Sequence, residues 1–514
     1  MDSYVAALLY KSRRDRPADR RAAVMGWLRR HPLAAFLPLQ AALYLWNLAL
    51  LSPWMDEAGT LIVVRRPLTE LLRFAAADVH PPLYYLLLFG WQRLPLGLGW
   101  TVQARTLTVV FALLGTVALD RLWGVRYSAR TRITALALWT LSPCLLLYVR
   151  MCRSYSLQAL WAIVAMAFLV RFLEKGSRRS GVLLALALLG ALYTHYAAGI
   201  ALIATANLGL WVRRRWRQSA ALDAAIAIGY LPWILRLAAS LGSWGSNAKS
   251  YTLTGSSALE VPVKLGYWAV SFVIGEATPD AMLLAGALLI PVAAYLVWKG
   301  ARATPELAWI AGALALIGFI GVARWVSYPF VPARLLFVLP FFVLLAARGA
   351  EVQPRTGRWA IPALLALSLC GVGCYFQKTG FLNKQYPIPM REIAGEILRN
   401  STAEDSAILV DSTNSDPIAM EYELNGRSFL QTSRPGTEAA IERVLADPRI
   451  RTVWFVRNTH DVSPEGWDAR FDAELRSRMR ATVHSYEPYS ALERFLMHRP
   501  DAPRYFHELI EYRR

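Results

Sequence analysis

Cysteine is scarce in this sequence, with only Cys144, Cys152, Cys370 and Cys374 in 514 residues. All four lie inside or beside apolar stretches. They form neither a disulfide framework nor a zinc pattern, so packing is their reading. Acidic residues are also few: 36 Asp and Glu stand against 56 Lys and Arg, a formal net charge of +20. In a soluble chain that surplus would point to nucleic acid. Here no recognition motif accompanies it, and the basic residues sit in short loops between apolar stretches, where topology and anionic headgroups account for them. No nucleic-acid partner is expected. An internal repeat, a low-complexity tract and a nucleotide-sugar domain are likewise missing.

What the chain has is hydrophobic length. Hydrophobic residues make up 55% of it and the mean hydropathy is +0.32, values a soluble protein with a polar shell rarely reaches over this length. Residues 181–197, 282–298 and 307–323 are almost free of charge, and stretches of about 17 residues suffice to span a hydrocarbon core. The expected fold is therefore a polytopic α-helical membrane protein of about eleven transmembrane helices, at about 33–52, 103–122, 133–149, 155–172, 181–196, 198–212, 220–236, 281–298, 306–323, 334–347 and 358–376.

Charge orients these spans. Arg13, Arg14, Arg16, Arg20, Arg21, Arg29 and Arg30 precede the first span; Arg121, Arg126, Arg130 and Arg132 follow the second. Lys175, Arg178 and Arg179 follow the fourth, Arg213, Arg214, Arg215 and Arg217 the sixth, Lys299 and Arg302 the eighth, and Arg348, Arg355 and Arg358 the tenth. An inside N-terminus puts all of these loops on one side. The sequence thus divides into a basic cytoplasmic segment 1–32, a membrane module 33–376, and a C-terminal region 377–514 on the outer, periplasmic side of a bacterial inner membrane. The apolar stretches 81–94 and 261–274 are too short to cross and would reverse the charge pattern. They read as interfacial or re-entrant helices within outer loops 53–102 and 237–280. From about Lys378 the composition becomes that of a soluble protein. Helices are expected at 390–399, 437–445 and 467–480 and strands at 407–410, 452–456 and about 481–486, a small α/β domain.

Polar chemistry gathers at the outer ends of the spans. Asp56 and Glu57 follow the first span, where adjacent carboxylates must face water, a cavity or a partner. His80-Pro81-Pro82-Leu83-Tyr84-Tyr85 opens a short aromatic helix in the same loop. Arg150 and Arg153, beside Tyr155, run against the positive-inside trend and suit an anionic group brought by a lipid. Tyr193-Thr194-His195-Tyr196 forms a tight outer turn, and Arg334 enters the tenth span. Taken singly, each has a structural alternative: a solvated loop start, a helix stop signal, snorkelling anchors or an interfacial aromatic belt. Their collection on one face is the informative feature.

In this order, Asp56-Glu57, His80-Pro81-Pro82-Leu83-Tyr84-Tyr85, Ser142-Pro143 with Arg153-Ser154-Tyr155, Tyr193-Thr194-His195-Tyr196 and Arg334 resemble the GT-C glycosyltransferases. The protein O-mannosyltransferases and the aminoarabinose transferase of lipid A are the nearest group. The resemblance covers residues 33–376. Met151 departs from it, standing where many members carry an acidic residue. The resemblance implies a polyprenyl-phosphate sugar donor, inversion at the anomeric carbon, and Asp56 as general base. A phosphate ester leaves as a stabilised anion, so one base and a cationic clamp suffice where a glycosidase needs a second carboxyl group.

On this expectation Glu57 orients the base or acceptor, or joins a divalent metal ion with His80 or His195. Arg153 with Arg150 or Arg334 holds the donor phosphate, and Tyr155 lines that pocket; His80, Tyr84 and His195 line the substrate side. The acceptor is a glycolipid, an envelope glycan or a protein hydroxyl, and membrane lipids surround the chain. A transporter or flippase of a lipid-linked substrate is the alternative, but it predicts repeat symmetry and charges at mid-membrane. An assembly protein would leave the outer-face Asp, Glu and Arg residues without a role.

Overall fold

The computed structural model describes residues 26–27, 30–77, 80–238, 260–322, 330–411, 416–432, 437–459, 467–496 and 504–514. Outside them lie the arginines before residue 26, Arg29, Asp78 and Val79 of the first outer loop, much of the expected 237–280 loop, and Tyr328-Pro329.

Among the described residues six helices are long and apolar enough to cross a membrane: Trp100–Arg126, Tyr155–Lys175, Trp216–Ala238, Asp280–Ala303, Pro332–Val352 and Pro354–Phe376. Ala129–Thr140 and Pro143–Val149, bent by 51° at their junction, make a seventh if they form one span. The other four expected spans are also helical, at Leu33–Leu45, Arg178–Thr194, Tyr196–Val212 and Pro305–Ile320. Length and composition thus qualify six or seven helices rather than eleven. These four helices are 13, 17, 17 and 16 residues long, shorter than the 21 to 27 residues of the six.

The bend has a local cause. Pro143 supplies no backbone donor and biases Ser142 to an extended conformation, while the Ser142 Oγ accepts the Leu145 N–H at 3.2 Å and starts the helix afresh. All seven residues of Pro143–Val149 are buried, and the chain leaves this short helix into the Arg150–Ser154 turn. Elsewhere glycines let helices touch backbone to backbone. A Cβ on Gly300 would fall 1.9 Å from the Leu345 carbonyl oxygen, and one on Gly349 would fall 1.8 Å from that of Leu296.

The two short apolar stretches form helices Leu83–Trp91 and Glu260–Val273. At about 1.5 Å per residue neither reaches across a hydrocarbon core. Just past the end of the second lies Gly275, whose φ of +95° and close approach to Pro143 admit no side chain.

The C-terminal region is a five-stranded mixed sheet of order β2-β1-β3-β5-β4, with β1 Ser406–Val410, β2 Leu430–Gln431, β3 Thr452–Asn458, β4 Arg480–Pro488 and β5 Tyr505–Arg513. β1 runs parallel to β2 and β3; β5 lies antiparallel between β3 and β4. Alternation puts Leu409, Val453, Phe455, Ile510 and Tyr512 in one core. Ile408, Val410, Trp454, Val456 and Leu509 on the opposite face belong to the large core that also contains Trp54 and Ala58 of the first outer loop. Sheet and membrane module are packed through a shared interior. Helix Asp416–Leu424 and strand β5 were not expected from the sequence.

Candidate active site

Trp54 is extended, and helix Met55–Arg65 starts immediately after it, which places Asp56 and Glu57 in its first turn, where free N–H groups favour carboxylates. Consecutive side chains on a helix point about 100° apart, so the two carboxylates diverge. Glu57 turns inward and is fully buried. Its Oε1 and Oε2 each accept from the Arg105 guanidinium at 2.7 Å, and Oε1 also accepts the Cys152 N–H at 2.8 Å. Arg105 donates further to the carbonyls of Leu48 and Leu51. Asp56 turns outward, with a quarter of its side chain exposed and its Oδ2 3.6 Å from Arg153 Nη2.

Arg153 is the hub. Its Nη1 donates to the Thr60 hydroxyl at 2.8 Å and to the Asp56 carbonyl at 3.1 Å, and Nη2 meets His80 Nε2 at 2.7 Å. A guanidinium can only donate, so this histidine nitrogen accepts. Tyr84, buried behind His80, donates to the Cys152 sulfur at 3.4 Å. His80, Pro81, Tyr84, Tyr85, Arg153, Ser154 and Thr194 line a small cavity.

Three expected residues form a second ring. Tyr155 is buried within electrostatic reach of Arg153, Asp56 and Arg334. His195 lies within reach of His80, Arg334 and Arg153, and its Nδ1 accepts the Ala198 N–H at 3.4 Å, capping Tyr196–Val212. Arg334 stands in the tight turn Pro332–Val338, which Gln158 ties to Tyr155–Lys175 through the Ala333 carbonyl at 2.7 Å.

Two expectations are corrected by the geometry. Arg150, expected at the donor phosphate, is 1% exposed and its guanidinium is already engaged. It donates to the carbonyls of Leu43, Tyr44, Trp46 and Asn47 and to the Tyr375 hydroxyl, closing the end of Leu33–Leu45. A divalent-ion site joining Glu57 to His80 or His195 is not assembled: both Glu57 oxygens are taken, and among the described residues no three His, Cys, Asp or Glu side chains gather to hold a metal.

Arg105 and Thr60 escaped the sequence reading. Arg105 did leave a signal, since a lone arginine in the first turns of an apolar span requires a carboxylate partner. Glu276, after the second short helix, is a further buried acid. It accepts from the hydroxyls of Tyr148, Tyr267 and Ser271. Burial raises its pKa, and these hydrogen bonds pull it back only in part. Tyr148 in turn packs edge-on against Tyr155 at 5.6 Å.

No family sequence model matches the chain, and no curated protein sequence does. The structure nevertheless shares its fold with solved structures of other proteins. It is similar to ArnT from Cupriavidus metallidurans bound to undecaprenyl phosphate, with 14% identity, 95% of this chain and 98% of that chain covered, and a TM-score of 0.56. The apo form of that protein gives 15% identity, the same coverage and a TM-score of 0.57. The archaeal oligosaccharyltransferase AglB from Archaeoglobus fulgidus, in complex with an inhibitory peptide and a dolichol-phosphate, gives 11% identity, covers 91% of this chain and 74% of its own, and has a TM-score of 0.50.

Proposed function

We propose that this protein transfers a sugar from a polyprenyl-phosphate-linked donor to an envelope acceptor, a glycolipid, glycan or protein hydroxyl, on the periplasmic face of a bacterial inner membrane. The observation that carries the reading is the divergence of Asp56 and Glu57. One carboxylate is locked to a buried arginine; the other stays partly open beside Arg153 and His80. Structural neighbours solved with undecaprenyl phosphate and with a dolichol-phosphate support a lipid phosphate as donor.

In the proposed reaction the acceptor oxygen attacks the anomeric carbon from the face opposite the phosphate, and its proton passes to Asp56. The bond from that carbon to the phosphate oxygen breaks, with its electron pair leaving on the phosphate. Arg153 and Arg334 stabilise that developing charge. The products are the glycosylated acceptor, with inverted configuration, and the polyprenyl phosphate. Glu57 acts indirectly by fixing the first turn of the Asp56 helix. His80 orients Arg153, and Tyr84, Tyr155 and His195 line the pocket. The basic loops support an N-terminus in the cytoplasm and residues 377–514 in the periplasm.

The test works with the acceptor unidentified. Envelope lipids and glycans of cells lacking the protein are compared by mass spectrometry with wild type, and the missing product is followed as variants are restored at matched levels. General base catalysis contributes about 10²–10⁴-fold, so Asp56→Asn should leave product undetectable while the protein still inserts. Product at more than about a tenth of the wild-type rate, above the smallest loss expected of a base, removes Asp56 from that role.

A further inference from the structure

We propose that the C-terminal sheet domain is a working part of the active site, with Ile418 and Tyr422 as positioning residues for the helix that carries Asp56. The inference rests on the reading of Asp56 as base.

Helix Asp416–Leu424 packs on helix Met55–Arg65 at Gly59. Gly59 lies three residues after Asp56 and so on the same face. A Cβ there would stand 3.8 Å from Ile418 Cγ2, so the Ile418 side chain sits over the backbone of the Asp56 helix. One turn further along, the Tyr422 hydroxyl meets the Thr101 hydroxyl at 2.7 Å. The Arg65 guanidinium packs over Tyr422 at 5.0 Å and over Trp100 at 5.5 Å. Thr101 is one helical turn before Arg105, which grips Glu57. The contacts therefore close a ring, from the docking helix to the Asp56 helix, across the Glu57–Arg105 pair to Trp100–Ala118, and back through Thr101 to Tyr422.

The docking helix is itself held from behind. Asp416, at its first position, accepts from Asn458 of β3 at 3.2 Å and pairs with His507 of β5 at 3.0 Å; His507 reaches Glu487 of β4 at 2.6 Å. Arg391, in helix Met390–Asn400, donates its backbone N–H to Ser52 and its guanidinium to the Ala49 carbonyl. Adhesion alone does not require a buried ionic anchor behind a helix that packs on the Asp56 helix. Such an anchor resists the displacement that would carry Asp56 away from the acceptor oxygen, and small misplacements of a catalytic group are costly.

The experiment follows product in cells lacking the native protein and binding of undecaprenyl phosphate to each purified full-length variant. Gly59→Leu should push the two helices apart, lowering product at least tenfold with undecaprenyl phosphate binding kept within twofold. Ile418→Ala in the same chain makes room and should restore at least half of the product. Tyr422→Phe retains packing and removes only the hydroxyl contact, so it remains informative if Gly59→Leu fails to fold; a severalfold loss with unchanged binding is expected. Wild-type product from both Gly59→Leu and Tyr422→Phe, where Asp56→Asn yields none, overturns the positioning role and leaves the base intact. A loss in Gly59→Leu that Ile418→Ala does not relieve, with Tyr422→Phe at wild-type level, also overturns it. The base assignment fails separately, through an active Asp56→Asn.

Discussion

Arg105 grips Glu57 with two parallel hydrogen bonds of 2.7 Å, and both groups are closed to solvent. The pair joins helix Met55–Arg65 to the N-terminal end of Trp100–Ala118, and it decides which of two adjacent carboxylates is left for chemistry.

Removing one partner of that pair strands a buried charge. Glu57→Leu should destabilise the protein by about 3–5 kcal/mol, and Arg105→Met similarly. The double variant should recover much of the loss, because no charge is then left uncompensated. Thermal unfolding of the detergent-purified variants measures this. Single variants that melt with wild type would mean that the loop is held by something else.

Arg153 serves through its fork. It bonds Thr60 and the Asp56 carbonyl from one nitrogen and His80 from the other, an arrangement that the point charge of a lysine cannot reproduce. Arg153→Lys should lower product formation by more than about tenfold, or roughly 1.4 kcal/mol in the barrier, with insertion unaffected. Unchanged product in both Arg153→Lys and Arg153→Ala would reduce the residue to an interfacial anchor.

His507 makes the C-terminal domain sensitive to alkali. Burial alone would lower its pKa, but Asp416 and Glu487 on either side win and raise it from 6.5 to about 10; Lys384 also acts on Glu487. A pKa raised on folding gives stability that is complete below about 6.5 and is lost as the pH rises through about 10. The melting temperature of wild type should therefore fall toward that of His507→Gln between these limits. A gap between the two proteins that stays constant from neutral to strongly alkaline pH would refute the assignment.

Much of the architecture was legible because it follows from local pattern. Apolar stretches located the long helices of the membrane module, because a backbone in lipid must bond to itself. The short stretches 81–94 and 261–274 were read as too short to cross, and the helices there are short. The soluble end was read less completely. Strand β5, Tyr505–Arg513, carries His507, Glu508 and Glu511 and has no clean alternation; it lies between β3 and β4, where His507 meets Glu487 and Glu508 meets Arg457. Helix Asp416–Leu424 is short, and the Thr101 hydroxyl that its Tyr422 meets lies more than 300 residues away in the chain.

The sequence by itself determined that the chain belongs in a membrane, where its long apolar stretches lie, and that Asp, Glu, His and Arg side chains collect at the ends of those stretches. Residue type and spacing suffice for that, since hydrophobic length and helical periodicity are local properties. Only the tertiary structure decided which of those polar groups act together. It paired Glu57 with Arg105, spent Arg150 on the carbonyls of Leu33–Leu45, and set Arg153 between Asp56 and His80. A buried charge needs a partner wherever the fold brings one, and nothing in the linear order says which arginine will meet which acid.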